Sequence, residues 1–257
     1  MPVRLEKQDA IGHIVLDRPP ANSYDPSFVG ELDAAIEAAA SDGEIKVIVV
    51  RSASEKFFSA GADVAFFAKS DLAAQTAFVA RANEAMSKLE STPKVVIAAI
   101  NGHCLGGGLE IALCCDFRIS ADGSFKIGLP EVTLGLLPGT GGTQRPPRLI
   151  GRQKALTLML KGTTLSPQEA KEAGIVDELV PAADLVGRAS ELAHEYASGP
   201  SFARGQIKYA VTRGSATSLK EGLATERAAL IRLFEGEDAR EGPRAFVEKR
   251  KPEYKGR

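Results

Sequence analysis

Val95-Val96-Ile97-Ala98-Ala99-Ile100-Asn101-Gly102-His103-Cys104-Leu105-Gly106-Gly107-Gly108-Leu109-Glu110 is the stretch that decides the fold. Its first six residues form an unbroken apolar run rich in β-branched side chains, the pattern of a strand buried on both faces. Gly108 to Cys115 reads as a helix and Asp116 to Ala121 as the next strand, so strand, helix and strand follow one another as they do in α/β layers. The glycines between strand and helix let backbone N–H groups come close to a ligand, and the helix start behind them adds positive potential. A developing oxyanion suits that place. Two positions past the last glycine stands Glu110, and a second carboxylate, Glu131, follows in Gly128-Leu129-Pro130-Glu131, a turn-like setting from which it could face Glu110 across a small cleft. Two carboxylates beside backbone donors point to acid/base chemistry on an acyl group.

The same alternation extends outward in both directions. Ile11 to Leu16 reads as a strand, Pro26 to Ala40 as an amphipathic helix, Val47 to Val50 as a buried parallel strand and Leu72 to Ser91 as a helix. From Gly151 onward the texture is mostly helical: Arg152 to Lys161, Ser166 to Ala173 with Ser166-Pro167 in cap and first-turn positions, Ala182 to Ser198, Pro200 to Arg213, and Leu219 to Leu233. An α/β core with a helical C-terminal third is the expectation.

Composition limits the function classes. The 257 residues are 44% hydrophobic and 25% charged, enough to bury a full core. Lys and Arg total 32 against 33 Asp and Glu, a formal charge of −1, which lacks the basic excess of a nucleic-acid or membrane-surface binder. Cys104, Cys114 and Cys115 form no spaced disulfide framework and read as reduced core thiols in a cytoplasmic protein. Met1 to Asp9 has no apolar leader region, and no window reaches the roughly 18 apolar residues that a membrane span requires.

Several glycine-rich segments mimic nucleotide motifs without completing them. Gly102 to Gly108 lacks the Lys-Ser/Thr of a phosphate-cradling loop, and Gly139-Thr140-Gly141-Gly142-Thr143-Gln144 lacks the last glycine of a dinucleotide fingerprint. There is no Gly-x-Ser-x-Gly elbow, and His13, His103 and His194 show no metal-ligand spacing. His103 and Cys104 are adjacent, but neighbouring side chains in a strand or turn diverge, which argues against a dyad.

Five segments, in order, resemble the enoyl-CoA hydratase/isomerase (crotonase) superfamily: Lys56-Phe57-Phe58-Ser59-Ala60-Gly61-Ala62-Asp63, Asn101 to Glu110, Gly128 to Glu131, Gly135-Leu136-Leu137-Pro138-Gly139-Thr140-Gly141-Gly142-Thr143-Gln144-Arg145, and Phe246-Val247-Glu248-Lys249-Arg250-Lys251-Pro252. The resemblance runs from about residue 5 to the C-terminus. It implies an α/β, crotonase-like spiral of repeated ββα units over residues 1–195 and a helical C-terminal trimerisation region over 196–257, assembled as a trimer or as a hexamer of two trimers. It implies further that the backbone N–H groups of Ala62 and Gly107 form an oxyanion hole for an acyl-CoA thioester. Glu110 then activates and orients a water and Glu131 delivers and recovers the C2 proton, with role swapping between them open. Coenzyme A enters as part of the substrate, with no separate cofactor and no metal. Lys56, Ala60, Asp63, Val64 and Ala65 are implied to meet it, joined by Phe246 and Lys249 from a neighbouring subunit.

Each of these residues also has a plainer explanation. Glu110 could be a first-turn carboxylate favoured by the helix dipole, Glu131 a surface turn residue, and Lys56 and Lys249 solvated lysines. The chain departs from common hydratases at Ala65, where some carry a lysine, in a longer Asp122–Ile127 segment, and at Arg145-Pro146-Pro147. Phe66, Phe67 and Phe78 are expected to form a flexible wall of the acyl pocket, with Tyr24 and Leu129 as further lining. Possession of both glutamates favours reversible hydration of trans-2-enoyl-CoA to 3-hydroxyacyl-CoA. The alternatives are a Δ3,Δ2-enoyl-CoA isomerase, which needs one base, a specialised dehydratase, or a non-enzymatic acyl-CoA- or RNA-binding relative.

Overall fold

The computed structural model describes residues 1–256. In chain order its first half runs β1 (Val3–Gln8), β2 (Ile11–Leu16), α1 (Pro26–Ser41), β3 (Val47–Ser52), β4 (Phe57–Ser59), α2 (Val64–Lys69), α3 (Leu72–Ser91), β5 (Val95–Ile100), β6 (His103–Leu105) and α4 (Gly107–Leu113). Then follow β7 (Phe117–Ala121), β8 (Ile127–Gly128), a 3-10 turn at Glu131–Leu134, α5 (Arg145–Ile150), α6 (Arg152–Lys161), β9 (Thr164–Leu165), α7 (Pro167–Ala173) and β10 (Glu178–Val180). A 3-10 turn at Ala182–Asp184 leads into α8 (Leu185–Ala197), α9 (Ser201–Gly214), α10 (Leu219–Glu235) and α11 (Asp238–Val247).

Two sheets organise the core. The larger has the order β1-β2-β3-β5-β7-β10, parallel throughout except for the β1–β2 hairpin. Its middle strand β5 is buried at every position, as an apolar run sandwiched between helices must be. α1 and α3 pack on each other, while α8 lies against β3, β5 and β7. Side chains such as Ile14, Ile48, Val96 and Ile97 are fully enclosed, each contributing roughly 1.5–3 kcal/mol. The helices start where local chemistry directs: Asp25 caps α1 by accepting the Phe28 N–H with Pro26 in the first turn, and Ser166 forms a reciprocal capping box with Glu169.

The smaller sheet, β4-β6-β8-β9, is what positions the site. Three successive strands of the large sheet are each followed by a short one of the small sheet: β3 by β4, β5 by β6, β7 by β8. These are the repeated ββα turns. The three short strands pair in parallel order, so the segments leaving their C-terminal ends emerge side by side. Ala62 leaves β4, Gly107 leaves β6 and Glu131 follows β8.

Three expectations need correction. Arg4, Glu6 and Lys7 deny β1 an apolar strand pattern, yet it pairs antiparallel with β2 to edge the large sheet. The segment after Gly151 is mostly helical as expected, but it also holds two unexpected short strands: β9 pairs with β8, and β10 pairs parallel with β7 to complete the large sheet. Strands of two or three residues are too short to register as alternation, which is also why β4, β6 and β8 were not read. Helices α2, α5 and α11 were likewise unread; α5 opens with Pro146-Pro147, which pattern alone reads as loop, and α11 carries an internal Pro243.

Candidate active site

A cavity of roughly 400 Å³ opens where the three turns meet. Apolar side chains including Val64, Phe67, Phe78, Leu134 and Leu137 form its walls, and Glu110, Glu131, Tyr24 and Thr140 bring the polar atoms. A wider cleft among Glu237 to Lys255 is lined by charged side chains, several of them paired with one another, such as Arg250 and Glu241 at 2.6 Å. An apolar cavity with convergent carboxylates is the stronger site.

Two backbone donors flank this cavity. Tyr24 and Ala62 form a parallel bridge in which the Tyr24 N–H donates to Gly61 O at 2.9 Å and the Asp63 N–H donates to Tyr24 O at 2.9 Å. That pairing uses the groups on either side of Ala62 and turns the Ala62 N–H away from Tyr24. Gly107 opens α4, so its N–H is one of the orphan donors of a helix start. Each donor follows a glycine in the left-handed region, Gly61 at φ 86° and Gly106 at φ 53°. A Cβ on Gly61 would stand 2.7 Å from the Gly107 N, which shows how closely the two segments approach and why the position is glycine.

The carboxylates sit in different surroundings. Glu110 is 3% exposed; its Oε1 accepts the N–H groups of Thr140 and Gly142, each at 2.7 Å, and its Oε2 accepts the Thr140 hydroxyl. Burial pushes its pKa upward, while these hydrogen bonds and Arg145 pull the other way. Glu131 has no such cradle. Its Oε2 is buried with no hydrogen-bond partner among the described residues, and burial, with the Glu110 charge adding to it, raises its pKa to about 7. One glutamate is thus locked as an acceptor and the other is poised to carry a proton near neutrality.

Residues 6–257 match the enoyl-CoA hydratase/isomerase family. The chain belongs to it. It is 37% identical over 254 residues to the 2,3-dehydroadipyl-CoA hydratase of Escherichia coli K12, covering 98% of both chains. It is 35% identical over 251 residues to the crotonyl-CoA hydratase of Syntrophomonas wolfei, covering 97% of this chain and 96% of that one. The crystal structure of an enoyl-CoA hydratase from Bacillus anthracis superposes with a TM-score of 0.94 at 38% identity, covering 100% of each chain. The two-sheet spiral is therefore the crotonase fold.

As a member of the hydratase/isomerase family, the chain brings Ala60, Ala62, Val64, Gly107, Glu110 and Glu131 together at one cavity. Asp63 instead caps α2, its carboxylate accepting the Ala65 N–H at 2.9 Å, and neither it nor Ala65 lines the cavity. Lys56, Phe246 and Lys249 are exposed and lie outside the lining of this single chain; Phe246 is 85% exposed. Phe67, Phe78 and Tyr24 do line it, whereas Leu129 is fully buried behind it. His103 and Cys104 form no dyad: His103 Nδ1 accepts the Lys126 N–H at 3.2 Å, and Cys104 is buried with its pKa pushed up.

Sequence reasoning missed the cradle of Glu110. The Gly139–Gln144 segment, which fails as a nucleotide fingerprint, curls so that two of its N–H groups converge on one carboxylate oxygen, and Arg145 ties it down by donating to Thr140 O at 3.0 Å and Glu90 Oε2 at 2.8 Å. Its density of glycines was the available signal: a Cβ on Gly142 would fall 2.4 Å from Pro138 Cβ.

Proposed function

We propose that this protein is an enoyl-CoA hydratase that adds water reversibly across the 2,3 double bond of trans-2-enoyl-CoA. The observation that carries this reading is the pair of glutamates in unlike environments on one cavity, beside two backbone donors. A water held between them loses a proton to the Glu110 carboxylate as its oxygen bonds to C3. The C2–C3 π electrons move toward the carbonyl, and the negative charge reaches the thioester oxygen between the N–H groups of Ala62 and Gly107. Each such donor is worth roughly 2.7–4 kcal/mol of barrier. Glu131 then delivers its proton to C2, giving 3-hydroxyacyl-CoA, and the proton left on Glu110 is passed back to Glu131 by exchange with water, restoring the starting state. Coenzyme A belongs to the substrate, so no further cofactor is required.

The exposed Lys56, Phe246 and Lys249 serve the nucleotide end of CoA once copies of the chain assemble as a trimer or hexamer through the helical region 196–257. Exposed apolar side chains there, among them Ile207, Val211, Ile231 and Phe234, supply the contact surface. The working compartment is the cytoplasm; among the described residues no helix is long and apolar enough to cross a membrane. Isomerisation of 3-enoyl-CoA, which needs one base, is a secondary activity that Glu131 supports through the same enolate.

The test is loss of the ultraviolet absorbance of crotonyl-CoA, whose enoyl thioester is conjugated. Wild type bleaches it, and Glu131→Gln does so about 10²–10⁴-fold more slowly. If neither crotonyl-CoA nor a longer trans-2-enoyl-CoA is hydrated while a 3-enoyl-CoA is isomerised, the hydratase reading fails.

A further inference from the structure

We infer that the Tyr24 hydroxyl is a third hydrogen-bond donor at the reacting centre, directed with the N–H groups of Ala62 and Gly107 at the thioester oxygen. This rests on the acyl-CoA reading above and adds a side chain to a hole otherwise built of backbone. Tyr24 is 2% exposed overall and yet lines the cavity. Its ring is held between Phe28 and Phe78, with centroids 6.0 Å away on each. Its main chain is bonded to Gly61 O and by Asp63 N–H, the groups flanking the first donor. Its hydroxyl oxygen reaches the second: an ideal Cβ on Gly107 would stand 1.7 Å from it. One residue is therefore anchored beside Ala62 and places its hydroxyl against Gly107.

The phenol proton is also only weakly engaged. Its partner is Thr140 Oγ1 at 3.5 Å, well beyond the roughly 2.5–3.0 Å of a relaxed hydroxyl bond. Thr140 directs its own proton to Glu110, so it cannot donate to the phenol as well. Buried phenol groups normally find a full partner, and a ligand oxygen at the cavity floor would be one. Burial and the charges of Glu110 and Glu131 push the Tyr24 pKa upward, so the group remains a neutral donor throughout the working pH range.

Tyr24→Phe keeps the ring and removes only the donor. It is expected to lower kcat for hydration by as much as the roughly 10²–10³-fold seen for loss of an oxyanion donor, with KM little changed. The deciding readout is infrared spectroscopy of bound butyryl-CoA carrying ¹³C at the thioester carbonyl, which has no double bond to hydrate. Wild type should lower the carbonyl frequency, and Tyr24→Phe should lower it less at similar affinity and melting temperature. An equal lowering in both proteins overturns the proposal even if turnover slows, because the hydroxyl would then act through Thr140 and Glu110. Failure of wild type to bind butyryl-CoA or shift its carbonyl removes the acyl-CoA reading and this inference with it, an outcome distinct from equal shifts.

Discussion

Glu131 retains a proton that a solvated glutamate would lose, and that difference has a thermodynamic signature. Its carboxyl titrates at about 7 in the fold against an ordinary value of 4.5, so between these values the folded state holds more protons than the unfolded chain and stability falls as pH rises. Glu131→Gln removes the titrating group. Its melting temperature should gain on that of wild type as pH rises from about 4.5 to 7 and hold the gain above that, a comparison that thermal melts across pH would settle. Burial raises the Glu110 pKa as well, but there hydrogen bonds oppose the rise by favouring the charged form. Thr140→Val deletes one of them, which raises the Glu110 pKa further and moves the acidic limb of the hydration rate to higher pH. An unmoved limb in a pH–rate profile would show that Thr140 leaves the ionisation of Glu110 untouched.

The decisive units at the next scale are the short strands and the glycine turns that leave them. Gly61→Ala would place a Cβ 2.7 Å from the Gly107 N and force an L side chain into φ 86°. The expected result is a loss of up to about 10²–10³-fold in kcat as the donors are displaced, with destabilisation of about 1–3 kcal/mol from the strained backbone. Kinetics together with urea melts separate the two effects. Gly135→Ala, also at positive φ but with nothing near its Cβ, should cost only the strain. Element scale is also where sequence reading was most uneven. Leu72–Ser91 and Val95–Ile100 are legible to the residue, because long periodic helices and unbroken apolar strands carry their own signal. β4, β6 and β8 are not, because strands of this length exist only through their partners.

For the molecule as a whole, the exposed apolar side chains of α9 and α10 call for a partner surface, and a second copy of the chain is the proposed occupant. Light scattering after size-exclusion chromatography should give a trimer or hexamer, and the paired change Ile231→Glu with Phe234→Glu should shift it toward monomer. Both residues are more than half exposed in the single chain, so the change spares its core. If Lys249 meets the CoA nucleotide across that interface, Lys249→Ala raises KM in a salt-sensitive way with little change in kcat. An unchanged KM would remove Lys249 from the binding site.

The sequence by itself determined the α/β class, the main strands and helices, the family, and the choice of Ala62, Gly107, Glu110 and Glu131 as candidate site residues, because these follow from periodicity and from motifs local in the chain. Only the tertiary structure decided that residues from three separate ββα turns share one cavity. It also decided that the Gly139–Gln144 loop cradles Glu110 while Glu131 Oε2 goes unpaired, and that Tyr24 lies beside both Ala62 and Gly107. The reason is physical: hydrogen-bond partners, burial and the pKa differences they produce are properties of groups far apart in sequence, and they arise only when packing brings those groups together.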